Sequence, residues 1–398
     1  MNAVEYRRFG DLDLSFSVLG FGAMRLPLAG ERPQDIDREE ARRMLRRAVD
    51  FGVDYVDTAY PYHGGESESW LGWALQGGYR ERVAVATKLP TWKVKCRDDF
   101  DRLLDEQLVR LDTTIDLYLL HGLDDESWRD NVLAHGVLES AERALADGRI
   151  GHLGFSFHDS FDVFERILGG TDLWEFCQIQ YNYMDEEYQA GTRGLHAAAE
   201  RGLGVVVMEP LRGGQLARPT PEVAAIWAAA PHDLGSCVPS GLCLPESPVE
   251  WALRWVWSHP EVSLLLSGMS TMEQVEQNVR YAGRAAQPLS VAELEAVARV
   301  RDAYRAAIPI PCTSCKYCLP CPNKVAIPDI LELYNDAVAY ADADGAREHY
   351  TWLGEDERAD ACTQCGECED RCPQHIGIIG WLEKAQAFLA AGGAEPDG

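Results

Sequence analysis

Up to about residue 283 the chain alternates short apolar runs with segments of helical period. The runs are "LGFGAMRL", "VDYVDTA", "VAVATKL", "IDLYLLH", "HLGFSF", "CQIQYN", "VVVMEP" and "VSLLLSG". Each is rich in Val, Ile and Leu and lacks polar alternation, the pattern of a strand buried on both faces. Between most of them lies an amphipathic segment. "REEARRMLRRAVDFG" stops at Gly52, and "DDFDRLLDEQLVRLD" and "GVLESAERALADG" behave alike. Eight such alternations in roughly 250 residues predict an α/β fold, a (β/α)8 TIM barrel. The opening "YRRFGDLDLSFSVLGFG" predicts a hairpin ahead of the first barrel strand. A Pro- and Ala-rich insert at about 215–247 has the length of an active-site loop or cover. No internal repeat beyond the βα rhythm stands out.

From "PLSVAELEAVARVRDAYRAA" onward the pattern turns helical, placing a boundary near 284–309. The expected organisation is a barrel over 1–283, then a helical linker and a small, mainly helical domain over 284–398. Helices are expected at "IPDILELYNDAVAY" and "GWLEKAQAFLAAG", with "GAEPDG" frayed at the end.

Composition narrows the class. A chain of 398 residues with 46% hydrophobic content suits two domains, or one large domain with an appendage. Its 64 acidic and 37 basic residues give a net charge of -27, which argues against nucleic acid or an anionic membrane as the main partner. The start "MNAVEYRRFG" lacks a basic-then-apolar leader. No apolar run approaches the ~20 residues of a membrane helix. The expectation is a cytoplasmic protein with no membrane insertion and no nucleic-acid partner.

The 12 cysteines change the picture, because eight crowd into two runs. "CTSCKYCLPCP" spaces Cys312, Cys315, Cys318 and Cys321 two residues apart, ahead of Pro322. "CTQCGECEDRCP" spaces Cys362, Cys365 and Cys368 likewise, then Cys372 three residues on, ahead of Pro373. The second run is the bacterial pattern for a [4Fe-4S] cluster, in which the fourth cysteine serves the other cluster of a pair. Two [4Fe-4S] clusters are expected. One uses Cys312, Cys315, Cys318 and Cys372; the other uses Cys362, Cys365, Cys368 and Cys321. The first run departs from the usual three-residue final gap. Structural zinc could take paired Cys-x2-Cys units, but two runs of four with trailing prolines fit cubane clusters better. Disulfides fit a cytosolic chain poorly. Cys237 and Cys243 match no cluster spacing and read as loop and core thiols.

A barrel keeps its chemistry where strands end and βα loops begin. The second strand ends at Asp57, with Tyr62 five residues on; the third ends at Lys88 and the fourth at His121. Each alone has a structural reading: a packing tyrosine, a solvent-seeking lysine, a hydrogen-bonding histidine. Together they occupy consecutive strand ends and suit one reaction. Hydride addition to a carbonyl leaves an alkoxide that needs a proton. A phenol can give it, though its ordinary pKa near ~10 is high. A neighbouring ammonium lowers that pKa, and a carboxylate holds the ammonium in place. A neutral imidazole can orient the carbonyl oxygen.

The segments "GFGAMRLP", "VDYVDTAYPYHGGESE", "ATKLP" and "LYLLHG" resemble the aldo-keto reductase superfamily over about residues 4–283. That resemblance implies a nicotinamide cofactor, NADP or NAD, with Tyr62 as proton donor, Lys88 and Asp57 tuning it and His121 orienting the substrate. It also implies cofactor contacts at Gly22 and Met24, at Ser156 in "GFSFHDS", at Gln180 in "CQIQYN" and at Met208 in "VVVMEP". Gly268, Ser270, Gln274 and Asn278 in "SGMSTMEQVEQNVR" would complete a phosphate and adenine pocket. Phe157 stands where an Asn is usual, with His158 beside it. Met208 stands where many members stack a Tyr and offers a polarizable face instead. The basic pair that grips a 2'-phosphate is not evident, so NADP and NAD both stay open. "GFGAMR" lacks the third glycine and the context of a Rossmann fingerprint. Barrel and tail together resemble aldo-keto reductases that carry a C-terminal ferredoxin domain.

The expected activity is an NAD(P)-dependent oxidoreductase acting on a small carbonyl or alcohol, with the clusters transferring electrons. A redox partner protein, a flavoprotein or ferredoxin, fits, because nicotinamide passes two electrons as hydride and a cluster passes one. No flavin motif is present to bridge them, so either a flavoprotein partner or the substrate bridges the gap, or the clusters have only a structural or sensing role. The alternatives are an iron–sulfur electron carrier whose barrel only docks, and a lyase using Lys88 or His121. Trp92, Trp128 and Tyr60 follow strands two to four and could line an aromatic pocket or pack a lid.

Overall fold

A computed structural model describes residues 4–230, 247–287 and 289–390. Cys237, Cys243, much of the insert and the terminal "GAEPDG" lie outside them. The described residues fall into two compact units. One holds the chain up to Gly213 and Val249–Ser290; the other holds Gly214–Pro248 and Val291 onward.

The eight apolar runs form the eight strands of a closed parallel barrel. They are β3 (Leu19–Gly22), β4 (Tyr55–Asp57), β5 (Ala84–Leu89), β6 (Ile115–Leu123), β7 (Ile150–Phe157), β8 (Phe176–Gln180), β9 (Gly204–Met208) and β10 (Leu264–Ser267), in sequential order with β10 against β3. The expected hairpin precedes them as β1 (Tyr6–Arg8) and β2 (Ser15–Ser17), paired antiparallel. Its Phe9 and Phe16 pack on Tyr55, Leu117, Phe176 and Leu264 in a core cluster of this unit. Gly204 matters here: a Cβ on it would come 2.8 Å from the Phe9 ring.

The barrel helices are α1 (Arg38–Asp50), α2 (Ser67–Ala74), α3 (Asp98–Leu111), α4 (Val137–Ala146), α5 (Phe161–Leu168) and α6 (Gly191–Glu200). In α1, Asp37 caps the start by accepting from the Glu40 N–H, and Ala41, Met44, Leu45, Ala48 and Val49 form its buried stripe. The helix α7 (Pro221–Ala228), within the insert, groups with the second unit. Then α8 (Pro248–Trp257) and α9 (Met272–Ala282) complete the barrel.

The second unit continues with α10 (Val291–Ala306), α11 (Ile327–Ala339), α12 (Ala343–Tyr350), α13 (Glu367–Arg371) and α14 (Ile378–Leu389). It has its own core, in which Ile330, Leu331, Tyr334, Leu382 and Phe388 are buried. The two cysteine runs share one backbone pattern. Ser314 and Lys316 flank Cys315 in left-handed conformations, as Gln364 and Gly366 flank Cys365; Lys324 and His375 then repeat the feature after Cys321 and Cys372. Each run leads into a helix, α11 or α14. The structure thus reveals a two-fold repeat that the divergent residues between the cysteines conceal.

Candidate functional site

Three of the four catalytic candidates lie on adjacent strands. Asp57 ends β4, Lys88 is the penultimate residue of β5, and His121 sits near the end of β6. The β6–β7 register shifts between Leu120 and Leu123, where Gly122 has φ +63 and donates its N–H to Ser156 Oγ. A bulge of this kind turns a side chain out of the regular pleat, and here His121 is on it. Tyr62 opens the turn after β4.

Lys88 Nζ donates to Asp57 Oδ1 at 2.6 Å, to the Thr58 carbonyl at 2.9 Å and to the Tyr62 hydroxyl oxygen at 3.4 Å. The Tyr62 and His121 rings meet edge-on, with centroids 6.0 Å apart. The structure therefore brings all four groups together. Asp57 Oδ2 and His121 Nδ1 are buried without a hydrogen-bond partner.

Burial sets the electrostatics. It pushes the Tyr62 phenol above its ordinary pKa; the Lys88 ammonium pulls it back only in part, and Asp57 adds to the rise. The expectation of a lowered phenol pKa gives way, because desolvation outweighs one ammonium at 3.4 Å. Burial, then the Lys88 charge, then His158 hold His121 well below the usual imidazole range, so it is neutral. For Lys88, burial opposes the charge, but Asp57 and Tyr62 overcome it and raise the pKa.

A buried polar network holds the strand behind Lys88. Gln107 Nε2 donates to the Lys88 carbonyl at 3.0 Å and to Glu68 Oε1 at 2.6 Å; Thr87 Oγ1 donates to the same Glu68 oxygen at 2.6 Å. Tyr118 OH donates to Gln107 Oε1 at 2.7 Å. Sequence spacing carries no sign of this support, which joins α2, α3, β5 and β6.

The cofactor candidates divide. Gly22 pairs in register with Asp57, and Met24 beyond it is exposed. Ser156 is buried in register with Gln178. Gln180 is engaged elsewhere, its amide donating to Asp185 Oδ2 at 2.8 Å. Gln178, deeper in the same strand, has a buried carbonyl oxygen without a partner, and its amide lies 3.6 Å from Met208 Sδ. Phe157 packs on Phe164 in the core. Ser270 donates to the Arg25 carbonyl at 2.8 Å, and Gln274 Oε1 accepts from the Ser270 N–H at 2.7 Å. Asn278 is turned inward, donating to Ser267 Oγ at 3.0 Å. The Arg25 side chain lies over Gly268, where a Cβ would come 3.3 Å from it. The atoms over Gly268 are its aliphatic stem, and the guanidinium Nη2 lies by Gly213, where a Cβ would come 3.4 Å from it.

Of the three aromatic candidates Trp92, Trp128 and Tyr60, Trp92 stands beside the four, its ring 5.2 Å from that of His121 and 44% exposed. Trp128 is buried against Trp174, and Tyr60 bonds Glu106 beneath the Arg110 guanidinium.

In the second unit the eight clustered cysteines form no disulfide. Cys312, Cys315, Cys318 and Cys372 line one cavity, with Pro328 and Leu331. Cys321, Cys362, Cys365 and Cys368 line another, with Cys318 on the shared wall. Among the described residues no three metal-binding side chains converge on one point. Thiolates that ring a cavity suit a cube, whose irons sit at separate corners, rather than a single zinc ion. Asn335 exchanges both hydrogen bonds with Ile310, 3.0 and 2.9 Å, fixing the chain just before Cys312.

A parallel (β/α)8 barrel with polar side chains gathered at its strand ends, joined to a cysteine-lined helical unit, defines the class. The chain belongs to the aldo/keto reductase family, whose model matches residues 18–301, and a 4Fe-4S dicluster domain model matches residues 311–376. It is an oxidoreductase with an iron–sulfur tail. It is similar to the uncharacterized oxidoreductase YrpG of Bacillus subtilis, 28% identical over 313 residues that cover 70% of this chain and 90% of that protein. It is likewise similar to L-galactose dehydrogenase of Arabidopsis thaliana, 27% identical over 292 residues, 70% of this chain and 88% of the relative. Among solved structures, the holo form of aldo-keto reductase AKR11C1 from Bacillus halodurans superposes with a TM-score of 0.59 at 25% identity, covering 75% of this chain and 96% of that one. An aldo-keto reductase from Klebsiella pneumoniae in complex with NADPH shares the fold, with a TM-score of 0.58 at 23% identity over 76% of this chain and 95% of that one. Among the described residues no helix is long and apolar enough to cross a membrane.

Proposed function

We propose that the barrel reduces a small carbonyl compound, or oxidises the matching alcohol, with Tyr62 as proton donor and acceptor. The observation that carries this is the buried Lys88 ammonium held between Asp57 Oδ1 and the Tyr62 hydroxyl. A bound nicotinamide supplies the hydride. Tyr62 gives its proton to the carbonyl oxygen as charge develops there, and Lys88 stabilises the phenolate left behind. Asp57 keeps the ammonium charged and in place. His121, neutral, hydrogen-bonds the carbonyl oxygen, and Trp92 forms a wall of the substrate pocket. The relative named L-galactose dehydrogenase supports the carbonyl/alcohol class.

The residues present fit a nicotinamide. The orphaned Gln178 carbonyl oxygen suits the carboxamide, so Gln178 rather than Gln180 takes that role, with Ser156 beside it and Met208 against the ring. Gly22, Met24, Gly268, Ser270 and Gln274 border the rest of the cofactor path. The Arg25 guanidinium, beside Gly213, offers a cation to the phosphates that NADP and NAD share. In the tail, Cys312, Cys315, Cys318 and Cys372 hold one [4Fe-4S] cluster, and Cys321, Cys362, Cys365 and Cys368 the other. Clusters pass single electrons, so a flavoprotein partner would join them to two-electron chemistry, and a ferredoxin would exchange single electrons with them.

The test is an aldehyde and ketone panel under argon, following NADPH oxidation, with wild-type protein and Tyr62→Phe. Turnover that persists unchanged in Tyr62→Phe would remove the proposed proton donor.

A further inference from the structure

The turn that carries Tyr62 holds a second imidazole, which the chemistry above leaves unused. His63 is 9% exposed and has φ +53, a left-handed backbone that a residue with a Cβ adopts at a cost. Its ring lies inside the β3–α1 loop and touches both limbs. The Leu26 N–H donates to Nε2 at 3.2 Å, and Nδ1 lies 2.8 Å from the Pro33 carbonyl oxygen. A backbone N–H can only donate and a carbonyl oxygen can only accept. The two contacts therefore require neutral imidazole with its proton on Nδ1. Gln34, next along the far limb, lies over Gly64, where a Cβ would come 2.3 Å from its amide nitrogen. The near limb continues from Leu26 directly to Arg25, whose carbonyl accepts from Ser270 and whose side chain covers Gly268.

We infer that His63 is a positioning residue that latches the β3–α1 loop, and with it Arg25, onto the Tyr62 turn, so that this one side chain presets the dinucleotide-binding wall beside the proton donor. The inference rests on the nicotinamide reading of the barrel. Loop ordering spent before binding is not spent on binding, so the latch raises cofactor affinity by preorganisation. Tyr62 has its own anchor in Lys88, so losing the latch weakens cofactor binding more than it slows chemistry.

His63→Gly removes both hydrogen bonds and relieves the left-handed strain. His63→Asn tolerates that backbone but is too short to span both limbs. NADPH affinity is read directly from fluorescence titration, alongside KM and kcat. In both variants the dissociation constant and the KM for NADPH are expected to rise about tenfold, the weight of roughly one net hydrogen bond, with the loss falling on KM rather than kcat. Equal NADPH affinity in wild-type and variant proteins would overturn the latch. A wild-type protein that binds no nicotinamide would instead overturn the reading beneath it. If His63→Gly fails to fold, His63→Asn carries the same comparison.

Discussion

Lys88 Nζ and Asp57 Oδ1 face each other at 2.6 Å, with side chains only 1% and 3% exposed. Taking both charges out of water is costly, and the pair holds because each partner compensates the other. Asp57→Asn leaves the ammonium buried and uncompensated, so it is expected to destabilise folding by about 3–5 kcal/mol. The Asp57→Asn/Lys88→Met double variant should lose less than either single change predicts. Urea denaturation under argon, read as a double-mutant cycle, checks both.

Tyr62→Phe removes one oxygen whose protein contact is a long 3.4 Å hydrogen bond, so the fold should be little affected. Loss of a positioned proton donor is expected to lower kcat roughly 100- to 10,000-fold. NADPH titration should give an affinity close to wild type, separating chemistry from binding.

The raised Tyr62 pKa makes a pH prediction. A donor works while protonated, and burial moves this phenol above its ordinary value, not below it. Carbonyl reduction should hold through neutral and mildly alkaline pH and fall only above about 10. A kcat profile measured across this range with an alkaline limb near ~8 would contradict a phenol whose pKa burial has raised.

Histidines set the acid limb of stability. Burial leads the lowering of His63, His121 and His259. As pH falls below about 6.5 the unfolded chain takes up these protons first, so stability drops, by about 1.4 kcal/mol per pH unit for each group. His152 runs the other way: its bond to Glu175 raises its pKa, and its contribution grows as pH falls through the same region. The net effect is destabilising. The urea midpoint should fall between about pH 7.5 and about pH 5.5, and His121→Gln should shrink that fall.

Each cluster should depend on a cysteine from the other run. Cys372→Ser is expected to cut iron from roughly eight to roughly four atoms per chain while leaving the cluster of Cys362, Cys365 and Cys368. Iron and sulfide analysis with low-temperature paramagnetic resonance of the reduced protein distinguishes this from loss of both.

Much of the architecture was legible in the chain. Runs such as "VAVATKL" are apolar at nearly every position because their strands are covered on both faces, and that needs no knowledge of neighbours. Depth within a strand was not legible. Gln178 and Gln180 share a pleat side and a residue type, and only the surrounding loops decide that Asp185 takes one and leaves the other open. Trp92, Trp128 and Tyr60 follow strand ends alike, yet packing sends two of them away from the site.

The amino-acid order by itself determined the barrel rhythm, the strand-end polar residues and the cysteine spacing, because each is a local pattern that buried strands and tight ligand turns impose. Only tertiary structure decided the balance of burial against charge at Tyr62, the reach of Arg25 to Gly268 and the seat of His63 between Leu26 and Pro33. Those depend on distances between groups far apart along the chain, which closing the barrel sets and spacing in the sequence does not encode.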